Sequence, residues 1–225
     1  MAAGGGSRFG GSVPKQYASL AGEPLLRRTI VALNGAIAPD MTFVVLAPDD
    51  AWYGQRIGAI AGVRPVYGGG ATRAESVRHG LVALEPYARA DDWVVVHDAA
   101  RPCIDGEMLA RLLRELSDEP VGGLLAIPLA DTLKRAERGE PARALSTERR
   151  EGLWCAQTPQ MFRFAILQRA FERPEVHTFT DEAQAVEALG FKPRLVRGSL
   201  ANIKVTYPED LGLAEAIIAF QNASA

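Results

Sequence analysis

Short β-branched runs alternate along the chain with amphipathic helical stretches, and no other feature of the sequence restricts its fold so tightly. Residues 42–47 (TFVVLA), 93–97 (WVVVH) and 122–127 (GGLLAI) are apolar almost without a break. That is the pattern of strands covered on both faces and paired in parallel. Between them, residues 24–33, 50–60, 72–84 and 106–116 carry apolar side chains at helical spacing and supply the crossovers. Thr72 with Glu75, and Thr206 with Glu209, have the spacing of a capping box, so each pair predicts a helix start. The strand, helix, strand order predicts an α/β fold with a doubly wound, mostly parallel sheet, its ligand site lying along the carboxyl ends of the strands. Residues 131–152 break the rhythm, being largely polar with charges, Pro and Gly, and predict an arm that leaves the core. A length of 225 residues suits one large domain spanning 1–225.

Composition narrows the function. A formal charge of -2 provides no general basic field, which disfavours a protein that holds nucleic acid mainly by neutralising its phosphates. Any phosphate must meet a local cation cluster. Cys103 and Cys155 form no C-x-x-C, so neither a disulfide framework nor a zinc cage is expected. No apolar run approaches the roughly 18–20 residues of a membrane helix, and a soluble, cytoplasmic protein without a membrane partner is the expectation.

Four segments could carry chemistry. The first is Ala2-Ala3-Gly4-Gly5-Gly6-Ser7-Arg8-Phe9-Gly10, followed by Pro14-Lys15-Gln16. Glycines such as Gly4 and Gly6 let backbone N–H groups close around phosphate oxygens, and Arg8 and Lys15 offset their charge. Neither the P-loop spacing nor G-x-G-x-x-G is met, since Phe9 stands where the last glycine belongs. Without Arg8 and Lys15 a ligand-free glycine tail would be the better reading; with them, a triphosphate cradle is. Such a loop normally follows a strand, yet only Met1 precedes it, so a first strand is missing or curtailed. The second segment is WVVVHDAARP, where Asp98 ends a strand in a position suited to a hard cation and Arg101 can fork onto a phosphate. A turn cap and a surface charge would explain those two residues about equally well. His97 reads as a satisfied buried histidine. The third, Gly68-Gly69-Gly70-Ala71-Thr72-Arg73-Ala74-Glu75-Ser76, is a glycine turn that can admit a flat nucleobase, with Ser76 nearby, or simply a tight loop. The fourth holds Lys204 on a strand-like segment, 202–206, beside an open edge, where a phosphate contact and a solvated lysine are balanced readings. Thr180 reads as a helix cap, with Asp181 and Glu182 favourable to the dipole.

Taken in order, AAGGGSRFG, PKQY, GGGATRAESV, VHDAARP, DTLKR, GLWCAQTPQ, TDEAQAVEALG and NIKVTYPEDL resemble the 2-C-methyl-D-erythritol 4-phosphate cytidylyltransferase family nearly end to end. The resemblance implies a Rossmann-like nucleotidyltransferase sheet, CTP as nucleotide and a polyol phosphate as acceptor. It implies that Arg8, Lys15, Arg150 and Lys204 are catalytic, and that cytosine lies against Ala3, Gly70 and Ala71 with Ser76. Magnesium on the triphosphate would sit close to Asp98. The acceptor would meet Asp98, Arg101, Thr132 and Lys204, together with Arg150 and Thr180 from a second subunit. Arg150 is counted back from Gly152-Leu153-Trp154, with Arg149 directly beside it. The polar excursion is similar to the family's dimerisation arm, which implies a homodimer with shared sites. Ala71 departs from the acidic residue that many relatives offer there. A cytidylyltransferase for another polyol phosphate, such as ribitol 5-phosphate, shares the nucleotide loops. A non-catalytic nucleotide-binding homologue is the alternative of another class, against which the joint presence of Arg8, Lys15, Asp98 and Lys204 speaks.

Overall fold

The computed structural model describes residues 1–4, 9–10 and 13–223. After a 3-10 turn at Lys15–Tyr17 come the short strands β1 (Ser19–Leu20) and β2 (Glu23–Pro24), then α1 (Leu25–Ile37), β3 (Thr42–Leu46), α2 (Tyr53–Arg56), β4 (Val63–Tyr67), α3 (Arg73–Leu84), β5 (Trp93–Val96) and α4 (Gly106–Leu116). The second half runs β6 (Gly122–Pro128), β7 (Leu133–Ala136), β8 (Ala144–Glu148), β9 (Trp154–Arg163), α5 (Phe164–Phe171), α6 (Glu182–Glu187), β10 (Arg194–Arg197) and α7 (Asp210–Ala223).

The central sheet is ordered β10-β6-β9-β5, and β3 pairs with β4 in parallel beyond it. Strands β10 and β6 are parallel, while β9 runs antiparallel to both β6 and β5. The expected mostly parallel direction is therefore present, with β9 as a reversed strand that the expectation did not include. Side chains alternate between two helical layers, as the period of two requires. Val96, Leu124 and Phe162 pack with α3, α5 and α6, whereas Leu125, Met161 and Val196 pack with α4 and the edge of α1. With helices on both faces, strand β6 is apolar throughout because neither face meets water. Burying each such Leu or Phe stabilises the fold by about 1.5–3 kcal/mol.

Residues 1–2 bridge two strands by hydrogen bonds, although no strand is formed there. The Met1 amine donates to His97 O at 2.6 Å, Ala99 N donates to Met1 O at 3.0 Å, and Ala2 N donates to Val45 O at 2.9 Å. Residues 1–2 thus join β5 to β3 like the last rungs of a parallel ladder. Met1, Val44, Val45, Val94 and Val95 are among the residues lining an apolar cavity of about 210 Å³.

Three local expectations differ from the structure. The helix expected over 50–60 is confined to Tyr53–Arg56, since Gly58, at φ 69°, takes a left-handed conformation that interrupts it. At α7 the Thr206 and Glu209 box does not form; Asp210 instead accepts from the backbone N–H groups of Thr206 and Tyr207, at 2.7 and 2.9 Å. Lys204 lies on an irregular segment rather than a strand, tied down where Val205 N donates to Ala100 O at 2.8 Å.

Candidate active site

Because β3, β4 and β5 point the same way, the loops at their carboxyl ends gather around one cleft of about 450 Å³. Ala3 and Gly4 follow the bridging residues 1–2, the glycine turn follows β4, and Asp98 follows β5. Lys15, Lys204 and Thr206 close the far side. The Lys15 amine donates to Val205 O at 2.8 Å, so both lysines are anchored to the same short segment.

The glycine turn is held by the helix it feeds. Thr72 and Glu75 form the expected capping box, which starts α3. Ser76 is buried, accepting from Gly70 N and donating to Thr72 O, both at 3.0 Å, and so fixes the turn's shape. A Cβ at Gly70 would collide with Glu75, and one at Gly69 with Ala3, so close approach of backbones requires glycine at both positions.

Charge in the cleft is organised by Asp98, which is 7 % exposed. Its Oδ1 accepts from Arg73 Nε at 3.2 Å and Nη2 at 3.1 Å, and its Oδ2 meets Lys204 Nζ at 2.7 Å. Burial alone would push this carboxyl up; Arg73 and Lys204 outweigh it and hold the group well below the usual range. Arg73 also donates to both oxygens of Glu182, at 2.7 and 3.1 Å. Glu182 is fully buried, and burial pushes its carboxyl up against the pull of Arg73. Burial pulls Arg73 down, but the two carboxylates more than compensate.

His97 behaves as the satisfied histidine that was expected. It is buried, with Nδ1 3.0 Å from Thr158 Oγ1 and Nε2 3.1 Å from Arg101 O. A carbonyl can only accept, so Nε2 carries the proton and Nδ1 accepts from Thr158. Burial lowers the pKa of His97 to about 4.

The structure brings together Ala3, Gly4, Lys15, Gly70, Ala71, Ser76, Asp98 and Lys204. Arg8 and Gly6 lie outside the described residues. Arg101 does not line the cleft, because its Nη1 turns to Asn202 O at 2.7 Å. Burial pulls its pKa down, and its Nε is buried without a partner. Thr132, Arg150 and Thr180 are exposed and likewise outside the cleft of their own chain. Arg150 donates to Ala130 O, while Arg149 extends into solvent beside Glu151. Thr180 is not the cap of α6: the Asp181 side chain accepts from Gln184 N, and Thr180 bonds to the Gln184 side chain.

Arg73 and Glu182 were not among the expected site residues. A signal existed for the first, since a cation in the opening turn of a helix opposes the dipole and requires another reason to be there. The second was hidden by the ordinary preference for acids at that position. Among the described residues no group of three or more His, Cys, Asp or Glu could hold a metal. Among the described residues Asp98 is the one carboxylate lining the cleft. A magnesium ion carried by phosphates fits this set, because such an ion takes one or two carboxylates and leaves its other positions to phosphate and water.

Comparison with known proteins agrees with this geometry. Residues 1–220 match the family model for 2-C-methyl-D-erythritol 4-phosphate cytidylyltransferase. The chain is 53% identical over 219 residues to the protein of that name from Dechloromonas aromatica (strain RCB), covering 96% of this chain and 94% of that one. It is 54% identical over 224 residues to that of Laribacter hongkongensis (strain HLHK9), covering 99% and 95%. A crystal structure of 4-diphosphocytidyl-2C-methyl-D-erythritol synthase superposes with a TM-score of 0.84 at 40% identity, covering 91% of this chain and 94% of that one. With its loops, cleft and sheet arranged as described, the chain belongs to the 2-C-methyl-D-erythritol 4-phosphate cytidylyltransferase family, and it is a nucleotidyltransferase.

Proposed function

We propose that the chain transfers CMP from CTP to 2-C-methyl-D-erythritol 4-phosphate, releasing pyrophosphate and forming 4-diphosphocytidyl-2-C-methyl-D-erythritol, a step of non-mevalonate isoprenoid precursor synthesis. The observation that carries this reading is the single cleft in which a backbone-lined glycine turn, Lys15 and the Asp98–Lys204 pair converge. A phosphate oxygen of the acceptor attacks the α-phosphorus of CTP; one P–O bond forms as the bond to the β-phosphate oxygen breaks, and pyrophosphate departs with the electron pair. No covalent enzyme intermediate is required. Catalysis is then positioning plus electrostatic stabilisation of charge on the α-phosphate.

In this reading Ala3, Gly70, Ala71 and Ser76 shape the base pocket and Gly4 and Gly6 approach the phosphates. Lys15, with Arg8, offsets charge at the reacting phosphorus, and Lys204 meets the acceptor phosphate. Magnesium would be carried by the triphosphate close to Asp98, where it would neutralise triphosphate charge. Arg101 and Thr132 serve the acceptor side. Arg150 and Thr180 act in a neighbour's site, which accounts for their exposure and distance from their own cleft. The homodimer this needs is supported by the β7–β8 hairpin, an exposed two-stranded arm of a kind that is marginal alone in water. Leu145 on the arm, with Leu153 and Trp154 at its base, are large apolar side chains left exposed and available to a partner. The exposed free thiol of Cys155 suits a reducing, cytoplasmic setting. Pyrophosphate release that requires both CTP and methylerythritol phosphate tests the reading. Lys15→Ala should cut that turnover by about 100-fold or more while leaving the fold intact.

A further inference from the structure

Four charged side chains form an unbroken chain from the buried side of α6 to the mouth of the cleft: Glu182, Arg73, Asp98 and Lys204. Its two ends differ most in exposure: the Glu182 side chain is 0% exposed and Lys204 41%, with Arg73 at 26% and Asp98 at 10% between them. Arg73 spends four hydrogen bonds on the two carboxylates, so its fork is committed to them and not held out to a ligand. Glu182 lines no part of the cleft and places both oxygens on Arg73. Asp98 is thereby shared between two cations, one fixed by a buried acid and one at the solvent side.

We propose that Arg73, clamped by Glu182, is a positioning residue that keeps Asp98 compensated from behind and so leaves Lys204 able to exchange from Asp98 to the acceptor phosphate. The physical argument is competition. A partly buried carboxylate with a single cationic partner holds that partner tightly, because parting them would leave an uncompensated charge out of water. With Arg73 forked onto Oδ1, the departure of Lys204 from Oδ2 leaves Asp98 still paired and hydrogen-bonded. Without the fork, Lys204 stays on Asp98 and the acceptor phosphate loses its cation. The inference rests on the reading that Lys204 meets the acceptor, and the test separates the two.

The test uses initial rates of pyrophosphate release, together with thermal melts, on the full chain. Arg73→Lys keeps the charge but loses the fork. The double variant Arg73→Met with Glu182→Leu removes the buried pair as a unit, a replacement that commonly preserves stability where removing one partner alone does not. Both should fold, and both should raise the KM for methylerythritol phosphate by about tenfold while changing the KM for CTP by less than about threefold. A clamp with a purely structural role would behave differently: restored stability in the double variant would restore the acceptor KM as well, and that result overturns the proposal. Equal rises in both KM values would also overturn it. Lys204→Ala is the control for the underlying reading. If it leaves the acceptor KM unchanged, the acceptor role of Lys204 fails and the proposal falls with it. If it raises that KM while the Arg73 variants do not, the positioning role alone is wrong.

Discussion

His97 shows how a single buried side chain ties stability to pH. It sits at the end of β5, with Thr158 on one ring nitrogen and a backbone carbonyl on the other, an arrangement complete only for the neutral ring. Burial lowers its pKa from 6.5 to about 4, so between those values the unfolded chain binds the proton that the folded chain refuses. The contribution of His97 to stability is therefore fully present above about pH 6.5 and is lost as pH drops toward 4, by about 3 kcal/mol in total. Chemical denaturation at pH 7 and pH 4.5 should show this loss. His97→Gln, although it lowers stability at pH 7, should flatten the slope between pH 6.5 and 4.5; an unchanged slope would assign the effect to other groups. Asp98 adds little in this window, since its carboxyl is held ionised well below it.

Among the elements, α3 does the most for the site, because its first turn both presents Arg73 and closes the glycine loop. The capping box is its start signal, with Thr72 Oγ1 3.1 Å from Glu75 N and Glu75 Oε2 3.1 Å from Thr72 N. Thr72→Ala should cost about 1 kcal/mol, read as a lower melting temperature, and should weaken CTP binding more than acceptor binding, because the turn that loosens is the one lining the base pocket. Equal weakening of both would show that α3 carries the cleft as a whole. Strands β3, β5 and β6 and helices α1, α3 and α4 were legible in the sequence because β-branched runs and helical spacing act locally. Strand β9 was not: its WCAQTPQMFR carries Gln157, Thr158 and Gln160, which read as loop residues. They are buried only because tertiary partners satisfy them. Gln160 accepts from Ala183 N at 2.8 Å, and the Asn202 side chain donates to Thr158 O at 2.9 Å. The site shows the same division. Lys15, the glycine turn and Asp98 are marked by residue type and local pattern, whereas Arg73 pairs with Glu182 across 109 positions, so nothing local joins the two.

At the scale of the whole molecule, the proposed homodimer would join two clefts through the arms of its two chains. In that proposed arrangement Arg150 and Lys15 would belong to different halves of the site, one supplied by each chain. Co-refolding Arg150→Ala chains with Lys15→Ala chains, each inactive alone, should restore about a quarter of the wild-type activity per chain, since random pairing makes half the molecules mixed dimers with one intact site each. No recovery in a mixture shown to contain dimers would place Arg150 outside the shared site. The central claim is the reaction itself. Its most direct test is pyrophosphate release by the purified chain with CTP and magnesium, comparing 2-C-methyl-D-erythritol 4-phosphate with ribitol 5-phosphate as acceptor and CTP with the other nucleoside triphosphates. Release confined to CTP with methylerythritol phosphate is the predicted result; preference for ribitol 5-phosphate, or no release from the folded protein with any acceptor, would contradict it.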